Sequence, residues 1–97
     1  MLNIRFSTHD LVYMELNIIT PDQSIFSGQA HSVTVPGSAG SFEILKDHAP
    51  IISTLEDGKV IIRNNKDIEV IIIKGGVVEV LDNKITVLAE GVVTEEN

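Results

Sequence analysis

Turn-forming residues interrupt this chain at short intervals from Glu15 to Val93, and the pieces between them are short and rich in Val and Ile. Helical periodicity is missing throughout that span, so long amphipathic helices are excluded and strands are what remains. Leu16 to Thr20 is apolar and branched, and Pro21-Asp22 stops it. Ile25-Phe26 is a second short piece, closed by Ser27-Gly28. From Ala30 to Val35 the odd positions His31, Val33 and Val35 are expected on one face, with Ser32 and Thr34 on the other. The loop Pro36-Gly37-Ser38-Ala39-Gly40 follows, after which Phe42 and Ile44 resume the alternation. Ile51 to Leu55 and Lys59 to Arg63 flank Glu56-Asp57-Gly58, which reads as a hairpin connection. Asn64-Asn65-Lys66-Asp67 turns the chain again, and Gly75-Gly76 separates Ile68 to Lys74 from Val77 to Leu81. Asp82-Asn83 suits a tight I′ turn, because both residue types tolerate φ > 0. The fold class is all-β, a two-sheet β-sandwich or flattened barrel of short antiparallel strands.

Ninety-seven residues suffice for one domain. The sequence divides into an N-terminal extension over Met1–Tyr13, expected to be disordered, the sandwich over Met14–Val93, and a polar tail over Thr94–Asn97. Met14 could itself serve as a start. The chain holds no cysteine, which removes disulfide scaffolds, zinc–thiolate clusters and thiol catalysis together. The formal net charge is −7, with 14 acidic against 7 basic side chains. Such a surface repels phosphate backbones and anionic headgroups, which argues against nucleic acid and lipid insertion; the acidic residues read either as solvated turn positions or as a surface for a neutral or basic partner. The longest apolar run, Val70 to Ile73, has the length of a buried strand, far below the roughly 20 residues of a membrane span. Met1 to Tyr13 lacks the apolar core of a secretory signal, so cytoplasmic residence is the expectation.

Catalytic chemistry finds little support. A G-x-S-x-G elbow is absent, and Gly37-Ser38-Ala39-Gly40 sits between strands, where glycine serves backbone geometry. His9, His31 and His48 form no metal-ligand spacing, so no metal and no cofactor is expected. His31 belongs to a strand as a packed or rim residue. His48 occupies the loop Lys46-Asp47-His48-Ala49-Pro50, where an exposed polar side chain either makes contacts or satisfies local backbone groups. Neither glycine pair leads into a helix, as a phosphate loop would require. The few aromatic residues, Phe6, Tyr13, Phe26 and Phe42, make no stacking platform for bases.

Four segments, in order, resemble the N-terminal domain of the epsilon subunit of F-type ATP synthases. They are Leu16-Asn17-Ile18-Ile19-Thr20-Pro21 with Ile25-Phe26-Ser27-Gly28, then Val33-Thr34-Val35-Pro36-Gly37-Ser38-Ala39-Gly40-Ser41-Phe42, then His48-Ala49-Pro50-Ile51-Ile52-Ser53-Thr54-Leu55 leading to Gly58, and last Gly75-Gly76-Val77-Val78-Glu79-Val80 with Asn83-Lys84-Ile85-Thr86-Val87-Leu88-Ala89. The resemblance implies a two-sheet sandwich at the foot of the central stalk, binding the gamma subunit and resting on the c-subunit ring. It implies a rotor subunit that couples proton flow to ATP synthesis, has no active site of its own, and works at the cytoplasmic face of an energy-transducing membrane such as the bacterial inner membrane. By the same resemblance Gly37, Ser38, Gly40, Ser41, Glu43 and His48 face the ring, and Ala49, Pro50 and Ile52 meet gamma.

The sequence departs from the family's frequent pattern at Ser41, where an acid is common, and at Lys46-Asp47, where Pro-Gly is common. Relatives continue into two C-terminal helices that inhibit hydrolysis and in some members bind ATP. A chain ending at Asn97 is expected to lack helical inhibition and nucleotide binding. Two other readings are weighed against this one. A carbohydrate- or peptide-binding sandwich needs exposed aromatics on a concave face, and a small hydrolase needs a convergent Ser, His and acid cluster. The rotor reading alone expects a flat apolar side patch without a deep pocket.

Overall fold

Alternation of inward aliphatic and outward polar residues produces eight strands in the computed structural model, which describes residues 13–93. They are β1 (Met14–Ile19), β2 (Ser24–Ala30), β3 (Ser32–Val35), β4 (Phe42–Ile44), β5 (Ile51–Leu55), β6 (Gly58–Asn64), β7 (Asp67–Leu81) and β8 (Lys84–Val92). The hydrogen-bonded order is β2-β1-β8-β7-β6-β3-β4, with β5 also on β7. β7 is the hinge of this arrangement. Along one edge its first part, Asp67–Ile73, pairs β6, and its later part, Gly76–Val80, pairs β5. The opposite edge pairs β8 from Ile73 to Leu81. One layer is therefore β2-β1-β8-β7-β5, and the other is β7-β6-β3-β4. Leu16, Ile18, Ile85, Val87, Val78 and Val80 of the first layer share a single core with Val33, Val35, Ile44, Val60, Ile62 and Ile73 of the second. β2 and β4 end the strand order without pairing each other, so the sheet folds over into a sandwich and does not close into a barrel.

The fold-over happens at Gly75-Gly76. Before it the inward residues of β7 are odd, Ile71 and Ile73; after it they are even, Val78 and Val80. The partner strand changes parity opposite, from Ala89 to Val92. Only glycine supports this switch: Gly76 has φ 131°, and a Cβ there would lie 2.3 Å from the Leu88 carbonyl oxygen.

Several expectations are corrected. Gly75-Gly76 lies inside one 15-residue strand. Glu56-Asp57-Gly58 does not close a hairpin, because β5 and β6 lie end to end along β7. β2 runs through Ser27-Gly28 to Ala30, where its ladder with β1 continues. The alternation from Ala30 to Val35 breaks at His31, an exposed bend whose ring lies against Tyr13 at 5.5 Å, and Ser32 and Val33 are both buried. Val70 is exposed rather than buried, since the inward positions of this part of β7 are Ile71 and Ile73 and Val70 lies on the opposite face. β1 pairs β8 in parallel, the six intervening strands serving as the crossover that a parallel pair needs. The turns at Asn65 (φ 55°) and at Asp82-Asn83 (φ 50° and 61°) have the left-handed backbone their residue types suggest. The extension before Tyr13 and the tail from Thr94 lie outside the described residues.

Candidate interaction face

The outer face of the β2-β1-β8-β7-β5 layer should be polar by simple alternation, and in part it is. Ile52, Glu79, Thr86 and Asn17 stand in register across β5, β7, β8 and β1. The adjoining row is different: Thr54, Val77, Leu88 and Ile19 stand side by side on the same four strands. Leu88 is 51% exposed, Ile19 37%, and Ile52, diagonal to Val77, 73%. Beyond Ile19 the chain turns at Thr20-Pro21, leaving a shallow apolar notch of about 240 Å³ lined by Ile19, Thr20, Pro21, Leu88 and Ala89. Thr20 holds that turn by accepting from the Gln23 N–H at 3.3 Å, and its own N–H donates to the Gln23 carbonyl at 2.9 Å. A broader recess of about 420 Å³ at the Asp82-Asn83 end is lined by charges of both signs, Glu15, Glu79, Asp82 and Lys84 among them. The face is thus partly apolar and bordered by charge, the composition of a protein–protein contact.

Two loops flank this face at opposite ends of β5. At the Leu55 end lies the Gly37–Ser41 loop. The Ser38 N–H donates to the Thr54 carbonyl at 3.0 Å, and the Thr54 hydroxyl donates to Ser38 Oγ at 2.9 Å. Gly37 is required there, because a Cβ would meet the Gly40 carbonyl at 2.7 Å and the Phe42 ring at 2.8 Å. Ser41 Oγ donates to the Val35 carbonyl at 3.3 Å, which leaves Ser38, Ala39 and Gly40 at the exposed tip.

At the Ile51 end lies the Lys46–Pro50 loop. His48 Nδ1 sits 2.8 Å from the Ala49 carbonyl, and Ala49 and Pro50 are exposed. Asp47 has φ 67° and faces the Asp82-Asn83 turn. A hydrogen bond from the Lys46 ammonium holds its carboxyl below the usual carboxylate range, and the Asn83 amide adds to the effect.

The residues assigned from resemblance are therefore sorted by the fold. Gly37, Ser38, Gly40 and Ser41 come together. His48 does not join them; it stands with Ala49, Pro50 and Ile52, about 13 Å away at four strand rises along β5. Glu43 is separate again, on the outer face of the other layer, with its carboxylate 3.9 Å from the Arg63 guanidinium. Sequence reasoning missed Ile19, Val77 and Leu88 as face residues. Leu88 had a legible signal, an aliphatic residue at an outward position between the inward Val87 and Ala89. Among the described residues no group of His, Asp and Glu is placed to hold a metal. No helix there is long and apolar enough to cross a membrane.

Residues 13–95 match the family model for the β-sandwich domain of the ATP synthase delta/epsilon chain. The chain belongs to this family. It is similar to the ATP synthase epsilon chain of Sulfurimonas denitrificans, 43% identical over 81 residues, covering 82% of this chain and 62% of that one. A similar protein of the same description in Caulobacter vibrioides is 35% identical over 77 residues, covering 79% of this chain and 90% of the relative. The chain spans about three fifths of the length of several other curated relatives. In fold it is similar to a chain in the mitochondrial ATP synthase of Euglena gracilis, solved with its OSCP, F1 and c-ring. The TM-score is 0.79 at 18% identity, covering 84% of this chain and 53% of that one.

Proposed function

We propose that this sandwich is an epsilon-type rotor module, a non-catalytic part of the central stalk that links the gamma subunit to the c-ring. The observation that carries the proposal is the apolar row Val77–Leu88–Ile19, with Ile52 beside it, on the outer face of a family member. Burying that row against a partner supplies a non-directional driving force, and the charged border sets register. In this reading gamma covers Ile52, Ala49, Pro50, Leu88 and Ile19. His48 goes with that set, since it shares their end of β5. The exposed tip Ser38–Gly40, with Gly37 and Ser41 at its base, meets the c-ring, where a side-chain-poor loop lets backbone approach backbone. The module works at the cytoplasmic face of an energy-transducing membrane, bacterial by its curated relatives. Transmission of torque needs a contact that does not slip, so at least about 1,000 Å² is expected to be buried in total.

The test is calorimetry and size-exclusion chromatography with the gamma subunit of the same organism. A 1:1 complex is expected, weakened at least about tenfold by Ile52→Asp or Leu88→Asp, as for truncated central contacts. Ser38→Asp should leave gamma affinity unchanged. Absence of a complex at micromolar concentration would remove the rotor reading.

A further inference from the structure

Asp47 occupies a left-handed conformation, φ 67°, at a loop position that favours glycine. A two-way bond to another part of the chain holds it there. Its backbone N–H donates to Asn83 Oδ1 at 2.6 Å, and Asn83 Nδ2 donates back to Asp47 Oδ1 at 3.1 Å. Asn83 is itself fixed, with φ 61° in the β7–β8 turn and its carbonyl accepting from the Glu15 N–H at 2.9 Å. One amide therefore ties the Lys46–Pro50 loop to the start of β1 and to the β7–β8 turn. Within the loop the His48 N–H donates to the Leu45 carbonyl at 3.1 Å, and the Lys46 ammonium bonds the other Asp47 oxygen at 2.8 Å.

We infer that the Asn83–Asp47 pair is a clamp that presents His48, Ala49 and Pro50 to the gamma subunit, with Asn83 as a positioning residue. This rests on the proposed reading of the face. The pair lies outside the core cluster, so releasing it leaves the packing of the sandwich intact. What it changes is the loop. Lys46–Pro50 is held at both ends by strands, but its middle carries a backbone conformation that local residues do not favour. Without the clamp the loop samples other shapes, and ordering it is then charged to binding. The clamp is also directional: one side must supply an amide and the other a carboxylate or amide oxygen.

That directionality supplies the test, made on the whole chain with gamma by calorimetry and with amide hydrogen exchange at residues 46–50. Asn83→Asp opposes two carboxylates and should cost about tenfold in affinity, with faster exchange in the loop and an unchanged melting transition of the sandwich. Asp47→Asn keeps the pairing and should bind as the parent does. The double variant Asp47→Asn with Asn83→Asp restores one amide facing one carboxylate, and should recover both affinity and protection. Asn83→Gly keeps the left-handed turn without the side chain and should behave as Asn83→Asp does. If the parent chain does not bind gamma, the docking reading falls and takes this inference with it. If the parent binds and Asn83→Asp and Asn83→Gly bind equally well, the clamp is overturned while the docking face stands. Loss in Asn83→Asp without recovery in the double variant overturns it as well.

Discussion

The two parts of β7 on either side of its glycine pair, Ile68–Ile73 and Val77–Leu81, draw on the same aliphatic residues and end in different surroundings. Val78 and Val80 are 0% and 1% exposed, whereas Ile68 and Val70 are 63% and 48% exposed. The later part has a strand on each edge, β5 and β8, and faces the core. Up to Ile71 the earlier part has β6 on one edge and, among the described residues, no ladder on the other. Apolar content does not decide burial within a strand; the face a residue takes does, since Val78 and Val80 point into the core while Ile68 and Val70 point away from it. The glycine pair marks the boundary, because it lets one continuous strand serve two layers with its inward face reversed.

The sharpest way to break the comparison is to remove that reversal. Gly76→Ala places a Cβ against the Leu88 carbonyl at a φ of 131°, and neither backbone can retreat without opening the β7–β8 ladder. A loss of roughly 3 kcal/mol or more is expected in denaturant unfolding. Gly75→Ala should cost less, about 1–2 kcal/mol, because its nearest neighbour is the Glu90 carboxylate on a flexible side chain. A loss at Gly75 equal to that at Gly76 would mean that backbone contact is not the cause.

The next test compares one residue type in the two parts. Val78→Ala opens space in the shared core and should cost roughly 2 kcal/mol. Val70→Ala should stay within about 0.5 kcal/mol, as surface changes do. Equal losses would show that the earlier part is covered in solution. A charge at the same edge sharpens the point: Val70→Lys should leave stability unchanged and reduce concentration-dependent self-association in light scattering, since an exposed apolar edge invites strand pairing.

The smallest expected effect lies away from β7, at the exposed Asp47. Its carboxyl is held below the ordinary value of 3.8 by the Lys46 hydrogen bond first and the Asn83 amide second. A depressed folded pKa contributes stability that is present above the unfolded value and lost as the pH falls through the folded one. Melting curves of the parent and Asp47→Asn should therefore differ slightly near neutral pH and converge in acid, once the pH has fallen below the depressed folded value. A gap that persists in acid would assign the effect to packing instead.

Much of the fold was legible because its signals are local. Period-two alternation marks β1 and most of β8, and the left-handed preference of Asn and Asp marks the turns at Asn65 and Asp82-Asn83. The aliphatic Leu88 between the inward Val87 and Ala89 also carried a signal of an unusual face, one that the sequence reading passed over. The site itself was less legible. His48 and the Gly37–Ser41 loop are close in sequence, and only the five-residue length of β5 separates them. Asp47 and Asn83 are 36 residues apart, and nothing in either neighbourhood points to the other.

The sequence by itself determined an all-β sandwich with its family motifs, its tight turns and the absence of catalytic spacing, because each of these depends on neighbours along the chain. Only the tertiary structure decided that β5 joins β7 instead of β6, that β1 runs parallel to β8, that β7 reverses its inward face, and that Asn83 ties down Asp47. The cost of closing a loop rises slowly with its length, so distance along the chain selects among strand partners only weakly. The choice falls to whichever pairing buries the inward aliphatic residues of all eight strands in one core at once.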